Sequence, residues 1–587
     1  MNRFNTAVLC LLLAAGCKGN SGGGADEPTL KHPGNEATFI SGATFIAGDG
    51  SAPIEEATII IDKDVIFQVG KKGELKPPRG SLQHTGLEGH TIIPAMINLN
   101  AYPGLSNTAG EFGAKNYNRD SVILDLNRYA YYGVTAVAAG GDSDGLSFQV
   151  RDEIRGGQAT GALLYTSGRG IAAKGSSGNL GDIPLLVSTE ADAREAVGKL
   201  ADQKADVIVL WANGMKAATS AAVVDEAHKR KLKVFADAPG LSEAKDVVKA
   251  GVDALIASVR ESDVDDELIS LMKEKKVALA PALSSLEARF TYIDSPKWLG
   301  ESTMREVYPS TLSAYLEDPV FVARLKRSPE AASARTQFAT ASKNLKKLAD
   351  SGVTIAFGTG SGLPYTFPGY FEHREMELMS MAGLSGMDIL KAASMSSAAT
   401  LGAADLGALT PGKKANFLVI SDDPLKNITA TKQIDEVWLD GKQPDRREMT
   451  RKAKDVKVTQ ISDKDRRDEA AIQRQIAQDE ADKLKKHYGN GKFISGQSVT
   501  IVPGLVFPTP GYSSASAVKG PPHRLTVKSA GAAGADLQAF YAETLKLQRW
   551  AAAGNCWEKP VPGDDTKKFR ACPEASSGQI TLVINVQ

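Results

Sequence analysis

The sequence predicts an α/β protein whose largest part is a parallel (β/α)8 TIM barrel. Between residues 91 and 406, short apolar strands such as ADVIVLWANG and LKVFADAPG alternate with helical stretches such as SEAKDVVKA. Repeated strand–helix units over so long a span are typical of this barrel. Alternating β-branched strands flank the repeat on both sides, so we expect a composite β-sandwich formed from both flanks. A small C-terminal α+β domain is expected after it.

Changes in pattern along the chain predict seven segments. Gly/Ser-rich, strand-like, strand–helix and charge-dense stretches follow one another, and each change in composition is taken as a boundary. The segments are a signal peptide (1–17), a flexible linker (18–36), the N-terminal half of the β-sandwich (37–90), the barrel (91–406), the C-terminal half of the β-sandwich (407–447), a charged helical linker (448–494) and the C-terminal α+β domain (495–587).

The composition is that of a folded protein without a basic surface. Of 587 residues, 42% are hydrophobic and 24% are charged, which is ordinary for globular chains. Lys and Arg number 69, as do Asp and Glu, so the formal charge is zero. Because phosphate binding needs a basic field, nucleic acid is not an expected partner.

The N-terminus predicts export and a lipid anchor. One positive charge, Arg3, precedes an apolar run that is too short to span a bilayer. The run ends at Ala14-Ala15-Gly16-Cys17, which resembles a bacterial lipobox, and the tether KGNSGGGADEPT follows. We therefore expect lipidation of Cys17 and a membrane-anchored protein of the bacterial cell envelope. The alternative is an ordinary signal peptide that is cleaved near Gly16.

The four cysteines are consistent with this compartment. Cys10 leaves with the signal and Cys17 takes the lipid, so Cys556 and Cys572 remain. An even pair in an exported protein predicts a disulfide. Two separate thiols are the alternative.

From about residue 37 to residue 442 the chain resembles the amidohydrolase superfamily, in particular its imidazolonepropionase and prolidase-like branch. ISGATFIAGDGSAPIEEATIIIDKDVIFQVG resembles the first half of the family's β-sandwich, and HTIIPAMINLN resembles barrel strand one. GVTIAFGTGSG resembles strand eight, and ILKAASMSSAATLGAADLGALTPGKKANFLVISDDPL resembles the closing helix and the sandwich return. The matching pieces occur in the family's order.

The resemblance implies a divalent metal at the carboxyl ends of the strands, held by His, Asp and a carboxylated Lys. The family's ligand positions carry other residues in this chain, and after strand three its frequent His is replaced within Ser176-Ser177. The degenerate positions are Asn98, Asn100, Val209, Asp237, Ala257 and Gly360. Asn98, Asn100 and Asp237 would make a poor Ca²⁺ site, with one carboxylate and two amides. We therefore expect no metal, no other cofactor and no catalytic residue of the family's kind.

Two further features lie near the expected mouth. His373 follows strand eight and is either close enough to reach the mouth or a helix-packing residue. An aromatic segment between strands six and eight is either a lid over the mouth or the core of that lid. Its residues are Phe290, Tyr292, Trp298, Tyr308 and Tyr315.

These observations predict a lipid-anchored, degenerate amidohydrolase whose barrel serves as a binding or scaffold module. One alternative is an active hydrolase of carbon–nitrogen bonds that uses non-standard residues. Another is an assembly component in which the C-terminal domain acts and the barrel is structural. The sequence leaves open whether the chain is an enzyme, and it identifies no ligand.

Overall fold

The computed structural model divides the chain into two compact units, Met1–Gln460 and Ile461–Gln587. The predicted signal peptide, Cys17 and nearly all of the linker lie outside the described residues. Those residues are 34, 36–107, 110–142, 145–176, 181–454, 458, 460–488, 495–502, 505–510, 513–518, 523–529, 541–542, 545–546, 550–561, 564–576 and 579–586.

In the first unit, short strands precede and follow a region in which strands and helices alternate. The described strands are β1 (Thr38–Ser41), β2 (Thr44–Phe45), β3 (Ala57–Asp62), β4 (Val65–Lys71), β5 (Leu82–His84), β6 (Thr91–Pro94), β7 (Met96–Ala101), β8 (Val134–Ala139), β9 (Leu163–Thr166), β10 (Ile171–Ala173), β11 (Leu185–Val187), β12 (Val207–Trp211), β13 (Lys233–Asp237), β14 (Ala254–Leu255), β15 (Ala278–Leu279), β16 (Phe417–Ile420) and β17 (Ile434–Trp438).

The helices cover the outer faces of the parallel strands and build the segment after β15. They are α1 (Arg119–Tyr131), α2 (Leu146–Arg155), α3 (Glu190–Asp202), α4 (Ala217–Lys229), α5 (Leu241–Ala250), α6 (Asp266–Lys275), α7 (Leu283–Glu287), α8 (Ser302–Arg305), α9 (Ser310–Leu316), α10 (Pro319–Arg327), α11 (Pro329–Asp350), α12 (Tyr370–Met381), α13 (Gly386–Lys391), α14 (Ser397–Leu401) and α15 (Arg446–Lys454).

Polar side chains begin several of these helices. Asn118 and Ser121 form a capping box at the start of α1, and Thr189 and Asp192 form another at α3. Each box supplies acceptors for backbone N–H groups that have no partner within the helix. The helix starts are therefore encoded locally.

The parallel strands form two sheets, β7-β8-β9 and β11-β10-β12-β13-β14-β15. Residues 354–360 form backbone hydrogen bonds with β15 on one side and with β7 on the other. The expected α/β architecture with parallel strands is confirmed. The described strands are assigned to these separate sheets rather than to one continuous eight-stranded sheet.

The predicted first barrel strand, 91–99, is two strands with different partners. β6 pairs with β16 and β2, whereas β7 pairs in parallel with β8. The chain leaves one sheet and enters the other at Ala95. The residues at the change, Ile93 to Ile97, are all apolar and mark no boundary, because both strands are buried.

The flanks form two sheets around one core. The sequence also predicts that 37–70 and 413–441 share a single sheet, and this holds only for β2. β1, β3 and β4 belong to a separate sheet. The sheets are β4-β3-β1-β5 and β17-β16-β6-β2. Ile40 and Ile59 from the first pack in the same core as Ile92, Phe417 and Trp438 from the second. Each sheet has an apolar face to bury, and two facing sheets bury both.

The second unit begins with α16 (Asp463–Tyr488), the charge-dense segment. The remaining strands are β18 (Ser495–Val502), β19 (Leu505–Pro510), β20 (Ser513–Val518), β21 (His523–Ser529), β22 (Ala551–Ala553), β23 (Cys556–Val561), β24 (Asp564–Ser576) and β25 (Gln579–Val586). They form the sheets β18-β19 and β20-β21-β25-β24-β23-β22. The helix expected in ADLQAFYAETLKLQRW lies largely outside the described residues.

Cys556 and Cys572 form the predicted disulfide. They lie opposite each other on the antiparallel strands β23 and β24, with Cα atoms 4.3 Å apart. The bond therefore joins two neighbouring strands of one sheet. Among the described residues, no helix is long and apolar enough to cross a membrane.

Replacing both cysteines with serine is expected to destabilise the second unit alone. Loss of the cross-link restores conformational freedom to the unfolded chain, which lowers the free energy of unfolding by about 3 kcal/mol for a loop of this length. Hydrogen–deuterium exchange resolved by peptide measures the two units separately. Unchanged exchange in β21–β25, or two free thiols in the denatured oxidised wild type, would contradict the prediction.

Candidate functional site

The carboxyl ends of the parallel strands form the candidate site, because active sites of this fold lie there. Along β12 and β13, alternate residues face an apolar interior that includes Ile97, Val209 and Phe235. The residues between them, such as Val234 and Ala236, belong to the core between strands and helices. This alternation decides which side chains reach the site.

A register shift in β7 separates the two predicted asparagines. Asn98 pairs with Val137 and Ala101 pairs with Ala139, so three steps along β7 match two along β8. The extra residue is a β-bulge, which changes the direction of the side chains that follow. In a regular strand, residues two positions apart face the same side. Because of the bulge, Asn98 and Asn100 have different partners.

Asn98 binds a buried carboxylate on α12. Its Nδ2 lies 2.6 Å from Oε1 of Glu372, which also accepts hydrogen bonds from Ser361 Oγ (2.6 Å) and Thr359 Oγ1 (2.9 Å). Oε2 accepts from the backbone N–H of Gly369 at 2.7 Å. Glu372 is fully buried, and burial raises the pKa of its carboxyl against the opposing effect of these donors. This cluster joins β7, the segment after strand eight and α12.

The side chain of Asn100 bonds to the backbone that follows β14. Its Nδ2 donates to the carbonyl of Ile256 at 2.7 Å, and its own carbonyl accepts from the N–H of Gly360 at 2.8 Å. Gly360 has a φ of 72°, and a Cβ there would lie 2.8 Å from the Cβ of Ser285. A side chain at position 360 is therefore excluded by both conformation and space.

Asp237 ends β13 and forms an ion pair with Arg260. Nη1 of the guanidinium lies 3.0 Å from Oδ1. Both side chains are mostly buried, with 25% of the aspartate and 14% of the arginine exposed. A fixed positive charge therefore already occupies the place beside this carboxylate.

Val209 and Ala257, two further predicted positions, are buried and apolar. Val209 lies in the interior core, where a Cβ on Gly140 would come within 2.5 Å of it. Ala257 follows β14 and is 9% exposed. Ser176 donates to the carbonyl of Ala173, and Ser177 lies outside the described residues.

Sequence reasoning missed Tyr102 and Trp211, whose rings stack at the strand ends. Their centroids are 6.5 Å apart and the ring planes differ by 20°. The indole Nε1 of Trp211 donates to the Tyr102 hydroxyl at 3.3 Å. The pKa of that hydroxyl is raised, first by burial and then by the Asp237 carboxylate. The two rings therefore fill space at the ends of the parallel strands beside Asp237.

One sequence signal points to Trp211, and the structure shows how its ring is accommodated. Trp211 lies two residues after Val209, so strand alternation places both on the interior face. Gly170 makes room for the indole, since a Cβ there would lie 2.2 Å from the ring.

These side chains do not fit a divalent metal. A zinc site needs three or four N, S or O ligands from the protein. Here Asp237 is paired with Arg260, the Asn100 amide is bound to a carbonyl, and Val209 has no donor atom. Throughout the described part of the chain, no group of three or more His, Cys, Asp or Glu side chains is arranged to hold a metal ion.

His373 is a packing residue of α12. Nε2 lies 3.0 Å from the carbonyl oxygen of Tyr132, and Nδ1 lies 3.1 Å from Thr431 Oγ1. The ring is fully buried, and burial lowers its pKa from 6.5 to about 4. The imidazole is therefore neutral at pH 7 and has no contact with Asp237.

The aromatic segment before strand eight is largely the core of its own substructure. Tyr292, Trp298 and Tyr308 are buried. Trp298 contacts the rings of Phe367, Tyr370 and Phe371, while Tyr292 contacts Tyr365. The packing favours the lid-core interpretation for these three residues.

Comparison with known proteins finds one family model that matches part of the chain, together with solved structures of similar fold. Residues 186–443 match the model of the amidohydrolase family. A Xaa-Pro dipeptidase structure with bound methionine is similar with a TM-score of 0.56 and 21% identity, over 70% of this chain and 100% of that one. A search of the curated proteins finds no match.

Two further solved structures show the same likeness. A putative prolidase from Bifidobacterium longum has a TM-score of 0.56 and 22% identity, over 72% of this chain and 100% of that one. A. niger ochratoxinase has a TM-score of 0.54 and 19% identity, over 70% and 95% of the two chains. At these identities the likeness establishes a shared fold.

The buried His373 predicts a loss of stability in acid. The unfolded chain binds this proton near pH 6.5 and the folded chain near pH 4, so the free energy of unfolding falls as the pH drops through that range. The full effect is about 3 kcal/mol.

The variant His373→Gln, which keeps a donor and an acceptor, isolates this contribution from that of other titrating groups. We expect urea unfolding to depend less on pH in the variant than in the wild type between pH 6.5 and 4. If the free energy of unfolding changed with pH equally in both proteins, His373 would not be the source of the effect. Glu375, whose pKa burial raises to about 7, acts in the opposite direction in both proteins.

Proposed function

We propose that this chain, which carries an amidohydrolase-family domain, is a catalytically degenerate, metal-free protein whose barrel serves as a binding or scaffold module of the bacterial cell envelope. The observation that carries the proposal is the ion pair between Asp237 and Arg260, 3.0 Å apart. The carboxylate at the predicted ligand position on β13 is therefore already paired with a positive charge of the protein itself.

Charge and space both oppose a metal at these strand ends. A divalent cation beside Asp237 would lie close to the guanidinium of Arg260, and like charges repel strongly where water is excluded. Tyr102 and Trp211, which are 4% and 6% exposed, fill the neighbouring volume. Metal coordination lowers the pKa of water from about 15.7 to about 7, and these residues offer no substitute for that effect.

We also infer that the parallel strands close into an eight-stranded barrel. Residues 354–360 supply the eighth strand, since they hydrogen-bond to both β15 and β7. The N–H of Asp206, just before β12, donates to the carbonyl of Thr166 in β9 at 2.8 Å, which joins the two sheets on the other side. The shared apolar interior supports the same arrangement.

The alternative is an active hydrolase of carbon–nitrogen bonds. The likeness to a dipeptidase and a prolidase favours it, because active sites of this fold lie at the carboxyl ends of the strands. In this alternative Asp237 would act as a base after its separation from Arg260. Hydrolysis would then depend on position 237.

We further propose that a lipid on Cys17 anchors the protein to the membrane. The lipobox-like residues before Cys17 and the Gly/Ser-rich stretch after it support the proposal. The Cys556–Cys572 disulfide is consistent with an oxidising compartment outside the cytoplasm.

Dialysis of the purified full chain against Zn²⁺, Mn²⁺ or Co²⁺ is expected to leave less than one bound ion per barrel. Turnover of Xaa-Pro dipeptides and N-acyl amino acids should equal that of an Asp237→Asn variant, because no group activates water. Analysis of the metal content measures the first expectation, and product release measures the second. Wild-type turnover above that of the variant would establish the alternative, and loss of that turnover with a chelator would show in addition that a metal takes part.

A Cys17→Ala protein is expected to leave the membrane fraction. Without the thiol no acyl chain is attached, and the apolar run before it is too short to span a bilayer. Cell fractionation with immunoblotting, alongside Cys10→Ala as a matched control, measures the shift. Membrane association of the Cys17 variant equal to that of the control would contradict the proposed anchor.

A further inference from the structure

The Cys556–Cys572 disulfide lies on the more exposed face of its sheet. Side chains alternate between the two faces of a strand. Trp557 and Ala571, which are opposite each other on β23 and β24, are buried on one face. The two cysteines are half-buried on the other face. Arg570, two positions before Cys572, shares that face, and 36% of its side chain is exposed. The bond is therefore separate from the apolar side of the sheet.

The side chains beside the disulfide differ at its two ends. Residues directly opposite each other on neighbouring strands have side chains next to each other on the same face. Ala553 of β22 is opposite Cys556, and Val583 of β25 is opposite Cys572. β22 is the edge strand of this sheet, so none of the sheet's described strands lies beyond Ala553. The Cys556 end of the bond therefore faces a small side chain and an open edge.

This arrangement determines which sulfur an external thiol can reach. In thiol–disulfide exchange a thiolate attacks one sulfur, on the side opposite to the sulfur that leaves, and access controls the rate. The S–S bond joins neighbouring strands, so its axis runs across them. Attack on Cys556 passes over the methyl group of Ala553, whereas attack on Cys572 passes over the larger Val583. Sγ of Cys556 is therefore the more accessible atom.

Backbone pairing holds the two cysteines close together without the bond. Next to them, Trp557 pairs with Ala571 and Lys559 pairs with Phe569. This register fixes the positions of the two Cα atoms, which are 4.3 Å apart. Two thiols held at neighbouring positions of a paired ladder can form the bond again without rearrangement of the strands. The site is therefore suited to repeated reduction and oxidation.

We propose that this disulfide is a reversible redox site, which a dithiol reduces in the folded protein by attack on Sγ of Cys556 from the open edge of the sheet. The attacking thiolate forms a mixed disulfide with Cys556. The electron pair of the broken S–S bond leaves with Sγ of Cys572, which takes up a proton. The second thiol of the reductant then displaces Cys556, which is protonated in turn.

Two electrons and two protons thus pass to the protein, and the dithiol becomes a disulfide. The proposal goes beyond the proposed function, because it concerns the second unit alone.

Reduction of the purified full chain by dithiothreitol, followed by alkylation and peptide mass spectrometry, tests the proposal. We expect a rate proportional to the dithiol concentration and nearly unchanged by 1 M urea, because the folded protein itself reacts. If the bond were reduced only after unfolding, about 1 M urea would raise the rate at least about five-fold. Reduced thioredoxin at the same dithiol concentration is the second reductant. The faster of the two identifies a small molecule or a protein as the source of the dithiol.

Ala553→Leu and Ala551→Leu form a matched pair on β22. Both variants add the same side chain to the same face of the edge strand, but Ala551 is opposite Glu558 and not opposite Cys556. We expect Ala553→Leu to slow the reduction about ten-fold, since the larger side chain covers the line of attack. Ala551→Leu should be reduced at the rate of the wild type.

Glutathione, a monothiol, shows which sulfur is attacked. With an alkylating reagent present to trap the released thiol, we expect the glutathione adduct on Cys556 and the alkyl group on Cys572. Glutathione disulfide should afterwards restore the bond in the reduced protein without denaturant, because backbone pairing keeps the thiols together.

Three results would overturn the proposal. The first is a reduction rate that reaches a plateau with dithiol concentration or rises at least about five-fold in 1 M urea. The second is an adduct mainly on Cys572 together with undiminished reduction of Ala553→Leu. The third is failure of the bond to re-form. None of these results depends on metal content or hydrolysis by the barrel.

Discussion

One buried carboxylate ties α12 to the place where β7 meets residues 354–361. Glu372 accepts hydrogen bonds from Asn98 on β7, from Thr359 and Ser361 and from the backbone at Gly369. No other described cluster joins the start of the parallel region, its end and α12 in this way. Because the carboxylate has no access to water, removal of its donors would leave a buried charge unsatisfied.

These contacts determine which polar groups at the strand ends are available to a ligand. Asn98 precedes the bulge in β7 and binds Glu372, whereas Asn100 lies within the bulge and binds the carbonyl of Ile256. Both amides are therefore used in holding strands together. Beside them, Arg260 neutralises Asp237, so polar groups that a metal would need are committed to contacts within the protein.

Glycines allow the ends of the parallel strands to fill with large side chains. Gly170 accommodates the indole of Trp211, and Gly360 lies against Ser285. The Tyr102–Trp211 stack therefore occupies space where active sites of this fold usually lie.

The sequence by itself determined the α/β class, the order of strand–helix units, the disulfide and the residue types at the ligand positions. These depend on local periodicity, on counting cysteines and on the donor atoms that a side chain possesses. Only the tertiary structure decided that β6 and β7 join different sheets, that Arg260 pairs with Asp237 and that Ala553 lies opposite Cys556 at the edge of its sheet. Asn98 shows why. Its side chain binds a carboxylate 274 positions away and the backbone after it bulges against β8, and neither feature can be seen in the residues around it.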